Sequence, residues 1–234
     1  MITNRFWILL FLSSGLVQTS PVFAQTGTSA CGPLAASYGP FDFRTDREKL
    51  PIVVGAHFTP EVEALIRGTT GRLPGGDIAY TLRAIPNHPN ALMAMMRLGE
   101  KEKTPKPSGS TYSVECWFDR AIRFRPDDHV VRMIYTIFLT KNNRRPEAMQ
   151  QLDIALNAAK DNPFTHQNIG LLYFDLGEHQ LALTQAHKAI QLGLIRPELR
   201  EKLQAAGKWT EPVAASAEPT LAEPSAAASA PTKP

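Results

Sequence analysis

The chain has 234 residues, 43% of them apolar and 20% charged, with a formal net charge of +3 and a pI near 8.9. A mild basic excess without any block of Lys and Arg gives no nucleic-acid footprint, so no nucleic-acid partner is expected. Two cysteines, with no CxxC, CxxCH or paired Cys/His spacing, support neither a redox motif, a haem attachment nor a structural zinc site, and no cofactor or metal is expected.

Residues 1–24 open with one Arg, continue into the apolar run FWILLFLSSGLV and end in TSPVFA, where Val22 and Ala24 make a small-residue cleavage pattern. This is the layout of a secretory signal peptide cut after Ala24. The apolar run, Phe6–Val17, is interrupted by Ser13, Ser14 and Gly15 and falls short of the roughly 20 residues a spanning helix needs. The expectation is therefore a chain secreted across the inner membrane, periplasmic, with no membrane span after cleavage. In such an oxidising compartment Cys31 and Cys116 can pair. On the chain-entropy account, a loop of that length closed by a bridge is stabilised by at most about 4 to 5 kcal/mol.

Residues 25–76 read as an irregular N-terminal cap with one short helix. That helix is TPEVEALIRG, with Thr59 at the N-cap, Pro60 at the first position and Gly68 at the C-cap. The segment before it, YGPFDFRTDREKLPIVVGAHF, is broken by Pro and Gly and reads as extended, with Tyr38, Phe41 and Phe43 as aromatic anchors. It has two candidate placements: over the end of a helical array, or in a groove as a built-in ligand.

From Asp77 the chain repeats itself. In KDNPFTHQNIGLLYFDLGEHQLALTQAHKAIQLG, Ile169-Gly170 precede Tyr173, Gly177 stands at a helix stop, and Ala182 and Ala189 follow. A step back of 34 residues brings Tyr135, Leu139, Asn143, Ala148 and Ala155 into the same frame without a gap. A second step of 34 reaches Ala121 in CWFDRAIRFRPDD, with Phe118 and Pro126 in register. A further ending, TLRAIPNH, lies 40 residues before that, the excess sitting in the polar loop GEKEKTPKPSGST, Gly99–Thr111. The small residues allow the two helices of a hairpin to approach closely.

This pattern resembles the tetratricopeptide repeat family over roughly Asp77–Leu194, although Leu92, Arg132 and His166 stand where the family has Trp, and Met96 and Thr136 replace its small Gly. The resemblance implies an all-α fold for residues 77–209: about three stacked helical hairpins forming an α-solenoid, closed by a capping helix in RPELREKLQAAGKW. In that helix Leu199, Leu203 and Ala206 fall on one side. Asn162-Pro163, and Asp127-Asp128 before His129, supply helix starts.

In arrays of this family the first helix of each pair lines a concave face. By register, the implied groove is Met93 and Arg97, then Val130, Met133, Ile137, Thr140 and Lys141, then Phe164, Gln167, Leu171, Phe174 and Asp175. The stripe is apolar and rimmed by Arg97 and Lys141, as suits a protein or peptide partner. The resemblance thus implies an exported scaffold of a bacterial cell-envelope complex rather than an enzyme.

Within its helix, Cys116 points about 160° away from the mean of Val114, Phe118 and Ala121, so a bridge to Cys31 places the N-terminal segment on the outer face. The histidines form no H-E-x-x-H or similar ligand spacing. His57, before a helix start and beside Glu61 and Glu63, is the one catalytic candidate, and an enzyme using it is the alternative reading. Residues 210–234, dominated by Ala, Pro and Ser, bury too little apolar area to offset ordering and read as a disordered tail. A structural module tethered by this tail is the remaining alternative.

Overall fold

The computed structural model describes residues 30–212 and is all-helical, with no strand among the described residues. The signal-peptide reading of residues 1–24 and the tail reading beyond Pro212 lie outside those residues. The elements are α1 (Leu50–His57, entered through a 3₁₀ turn, Arg47–Lys49), α2 (Pro60–Glu63), α3 (Pro74–Ala84), α4 (Pro89–Glu102), α5 (Val114–Phe124), α6 (His129–Lys141), α7 (Arg145–Ala159), α8 (Pro163–Asp175), α9 (His179–Gln191) and α10 (Pro197–Ala205). Among the described residues, no helix is long and apolar enough to cross a membrane.

Local chemistry fixes the helix starts. The Asp128 carboxylate accepts from the N–H groups of Val130 and Val131, Ser113 caps Cys116, and Asn162 caps Thr165 beside Pro163. The turn α6–α7 passes through Asn143 at φ 59° and the turn α8–α9 through Gly177 at φ 78°, both left-handed. Helices α6 and α7 pack along their lengths, as do α8 and α9. Ala148, Ala155, Ala182 and Ala189 are buried at these contacts, with Leu152, Ile169 and Tyr173 filling the space beside them. Gly170 serves a further approach: a Cβ there would stand 2.4 Å from Leu199 of α10. Helix α10 buries Leu199 and Leu203, whereas Ala206 lies just past its end and is exposed.

A second apolar cluster joins α2–α6 through Val62, Ile78, Leu82, Leu92, Met95, Trp117, Phe118 and Val131. The enlarged loop between α4 and α5 is docked onto α3. The Ser108 carbonyl lies 2.1 Å from where a Cβ on Gly75 would be, and Ser110 Oγ accepts from Trp117 Nε1 at 2.9 Å.

The N-terminal region departs from the sequence reading. It holds α1 as well as α2, and α3 starts at Pro74, so the boundary drawn at residue 76 falls inside a helix. Helix α2 ends at Glu63, not at Gly68, because Leu65 takes the left-handed turn at φ 58°. Thr59 makes no capping hydrogen bond; its hydroxyl faces that of Thr69 at 3.3 Å. Cys31 and Cys116 are bridged, with Cα atoms 5.0 Å apart. From the bridge the chain crosses to the C-terminal end of α3, where Phe41 and Phe43 pack with Leu50, Val53, Ala84 and Ile85.

Candidate functional site

Helices α6 and α8 lie side by side and leave an apolar hollow of about 290 Å³ between them. Val130, Met133, Ile134 and Ile137 of α6 recur at three- and four-residue spacing and so share one face; Asn168, Leu171 and Leu172 of α8 complete the wall. Met133 and Ile134 form a buried floor, the other apolar side chains are half-buried, and Asn168 is exposed. The lining contains no titratable group. Such a surface can bury an aliphatic or aromatic side chain, at about 0.8 kcal/mol per methylene removed from water, with Asn168 placed to meet a polar group at its edge. The thioether of Met133 can adjust to the shape of what enters.

Of the twelve groove residues expected from register, the structure brings four to this hollow: Val130, Met133, Ile137 and Leu171. Ile134, Asn168 and Leu172 were missed, although each lies one or four positions from an expected residue and the helical repeat alone points to them. The proposed basic rim is already engaged. Arg97 donates to the Glu63 carbonyl at 3.1 Å, and Lys141 holds both oxygens of Glu100 at 2.8 and 2.9 Å. Lys141 borders a separate depression of about 570 Å³ with Met96, Gly99 and Phe138.

Met93 packs on the second apolar cluster, and the Thr140 hydroxyl is turned back to the Thr136 carbonyl at 2.8 Å. Phe164 is 52% exposed, beneath the Arg196 guanidinium at 5.3 Å, and faces a cleft shared with Arg44, Asp127 and His129. Gln167 is buried, and its Nε2 has no hydrogen-bond partner among the described residues. Phe174 and Asp175 are engaged by Lys202 of α10, which lies over the half-buried Phe174 ring and bonds the exposed Asp175 at 3.1 Å. The aromatic N-terminal segment sits at the end of α3 and not in the hollow.

His57 stands in a second constellation. Its Nδ1 is 2.9 Å from Asp77 Oδ1, and its ring stacks on Tyr80 at 3.9 Å. Asp77 is 1% exposed and also accepts from the Thr69 N–H, the Thr70 N–H and the Thr70 hydroxyl. Burial pushes this carboxyl up, but the Thr70 hydroxyl, His57 and the two backbone donors outweigh it and hold it below its ordinary value. The carboxylate therefore gathers the α2–α3 loop and ties it to the end of α1. Asp77 is the sole hydrogen-bond partner of the His57 side chain among the described residues.

Comparison with protein-family models, with curated proteins and with solved structures finds no match to this chain.

Proposed function

We propose that the chain is an exported scaffold of the tetratricopeptide type, acting in the periplasm within a bacterial cell-envelope complex, and that it holds a peptide or protein partner in the hollow between α6 and α8. The observation that carries this reading is the lining of the hollow, apolar at every position but Asn168 and left open beside two closely packed hairpins. A soluble chain that presents aliphatic side chains in a concave wall has a surface suited to a partner's apolar anchor. The 34-residue recurrence of buried alanines supports the repeat architecture.

The test is a photo-crosslinking amino acid at Leu171 or Asn168 in cells, with exposed Asp153 of α7 as the control site. Partner adducts at the first two positions and not at the third are expected. Adducts confined to Asp153 reject the hollow as the binding site. An enzyme built around His57 is the second reading, supported by the 2.9 Å contact with Asp77. Loss of the cellular phenotype in His57→Ala, with Leu171→Asp behaving as wild type, favours it.

A further inference from the structure

The bridge to Cys116 brings three successive backbone carbonyls onto two arginines of α5. Arg120 Nη1 donates to the Cys31 carbonyl at 3.1 Å and to the Pro33 carbonyl at 2.5 Å, and Arg123 Nη2 donates to the Gly32 carbonyl at 3.0 Å. Arg120 is 1% exposed, and its guanidinium lies 4.8 Å from the Tyr112 ring and 5.5 Å from the Trp117 ring. It forms no ion pair among the described residues, and its Nε is buried without a hydrogen-bond partner, whereas Arg123 Nε holds the Asp119 carboxylate at 2.7 Å and leaves Nη2 to the Gly32 carbonyl. A buried guanidinium calls for an anion; here neutral carbonyls occupy that place. Burial lowers the affinity of Arg120 for its proton; Arg123 and Arg83 act in the same direction, and Tyr112 and Asp119 oppose them without reversing the shift.

Residues 31–38 thus form a strap that runs from α5 to α3. Ala36, Ser37 and Tyr38 roof a hollow of about 230 Å³ whose floor includes Tyr80 and Arg83 of α3, before Phe41 N–H docks on the Ala84 carbonyl at 2.8 Å. The strap is therefore held at its two ends over a cationic, aromatic floor.

We propose that the α5 face beneath this strap is a site for an oxyanion of the phosphate class, and that the Cys31–Cys116 bridge keeps it closed. A dithiol reductant transfers two electrons and two protons to the bridge, leaving two thiols on the protein and becoming a disulfide itself. Segment 31–37 then lifts, and the oxyanion replaces the three carbonyl oxygens. Arg120 meets two of its oxygens through the two N–H groups of Nη1 that now hold the Cys31 and Pro33 carbonyls, and Arg123 takes a third through Nη2. Three oxygens on two guanidiniums match a phosphate better than a two-oxygen carboxylate.

The experiment titrates inorganic phosphate at constant ionic strength, with chloride as reference, and follows Trp117 fluorescence in oxidised and dithiol-reduced protein. Reduction is expected to raise phosphate affinity about tenfold or more and to speed amide exchange in residues 31–37, and in Arg120→Met it is expected to leave phosphate affinity unchanged. Reduced protein that keeps its helical circular dichroism and binds phosphate no better than the oxidised form overturns the proposal. So does unchanged exchange in residues 31–37. Gly32→Val, with the bridge intact, decides the matter if reduction melts α5. Gly32 has φ +72°, which strains the strap backbone for any residue with a Cβ, and that Cβ would stand 2.3 Å from the Tyr112 hydroxyl, so this variant destabilises the docked strap. It is expected to bind phosphate as the reduced protein does, and wild-type affinity in this folded variant overturns the proposal.

Discussion

Asn87 and Asp42, 45 residues apart in the sequence, meet as a buried amide–carboxylate pair: Asn87 Nδ2 donates to Asp42 Oδ1 at 2.7 Å. The second hydrogen of the same amide reaches Asp128 at 2.8 Å, and its oxygen accepts from Phe43 N–H at 2.9 Å. One side chain thus joins the N-terminal segment, the α3–α4 turn and the N-cap of α6. Replacing it by Ala leaves Phe43 N–H without its acceptor and removes a donor from each of two buried carboxylates. Asn87→Ala is expected to cost about 1–3 kcal/mol in chemical denaturation, with faster amide exchange at Phe43. Exposed Asn90→Ala is the control and is expected to stay within about 0.5 kcal/mol.

Acid should weaken the protein in two stages. His88 is 4% exposed between the rings of Phe43 and Phe58, and burial pushes its pKa down to about 4. Its Nδ1 accepts from Ala91 N–H at 3.2 Å, a cap that needs the neutral ring. Because the folded pKa lies below the unfolded value, the unfolded chain binds more protons between about pH 6.5 and 4, and stability falls as pH drops through that window. The expected loss is about 3 kcal/mol, and His88→Asn, which keeps a capping oxygen, is expected to remove this stage. Asp42 acts lower. Burial raises its carboxyl, but hydrogen bonds from Arg44, Asn87 and Arg125 outweigh this and hold it well below the carboxylate range. Its contribution is present above about pH 4 and is lost as pH falls further. Urea unfolding across pH 2 to 7 separates the two stages.

Gly75→Ala tests the docking of the enlarged loop. Ala is the better helix former by about 1 kcal/mol, so a free helix would gain. Here the new Cβ would stand 2.1 Å from the Ser108 carbonyl and 3.1 Å from Leu98. The nearer neighbour is backbone and cannot rotate away. A net loss of about 1–3 kcal/mol is expected in thermal or chemical unfolding, with the loop 103–113 exchanging faster.

What could be read from sequence divides along a physical line. The buried alanines of α7 and α9 were legible because close helix approach restricts residue size at fixed intervals, and size is written in the sequence. Helix α1 was not. LPIVVGAH is apolar on every side and carries Pro51 and Gly55, so it has no helical period and reads as broken extended chain. Its helicity follows from tertiary contacts of Leu50 and Val53 with α3. The end of α2 was misplaced for a similar reason: the Asp77 carboxylate draws in Thr69 and Thr70 from a distance. In the groove, register placed residues on the correct helix face but could not say what covers them. Phe174 and Asp175 carry the same spacing as Leu171, yet Lys202 of α10 already engages both. Arg97 and Lys141 were expected at a rim and instead hold Glu63 and Glu100.

Leu171→Asp separates binding from folding at the proposed groove. Leu171 is half-buried and faces the hollow, whereas its neighbour Tyr173 is fully buried between the helices. A carboxylate at position 171 can stay hydrated at the open side of the hollow, so the stability cost should be about 1–2 kcal/mol. The same charge directed at an apolar anchor of the partner leaves that anchor facing an ion, which costs several-fold more than the contact it replaces. Crosslinking from Asn168 is therefore expected to fall at least about tenfold in Leu171→Asp while helical circular dichroism and the unfolding midpoint change little. Tyr173→Ala supplies the contrast: it deletes buried ring volume and is expected to lower stability by about 3–5 kcal/mol. If Leu171→Asp leaves the Asn168 adduct at its wild-type yield, the hollow between α6 and α8 is not where the partner is held.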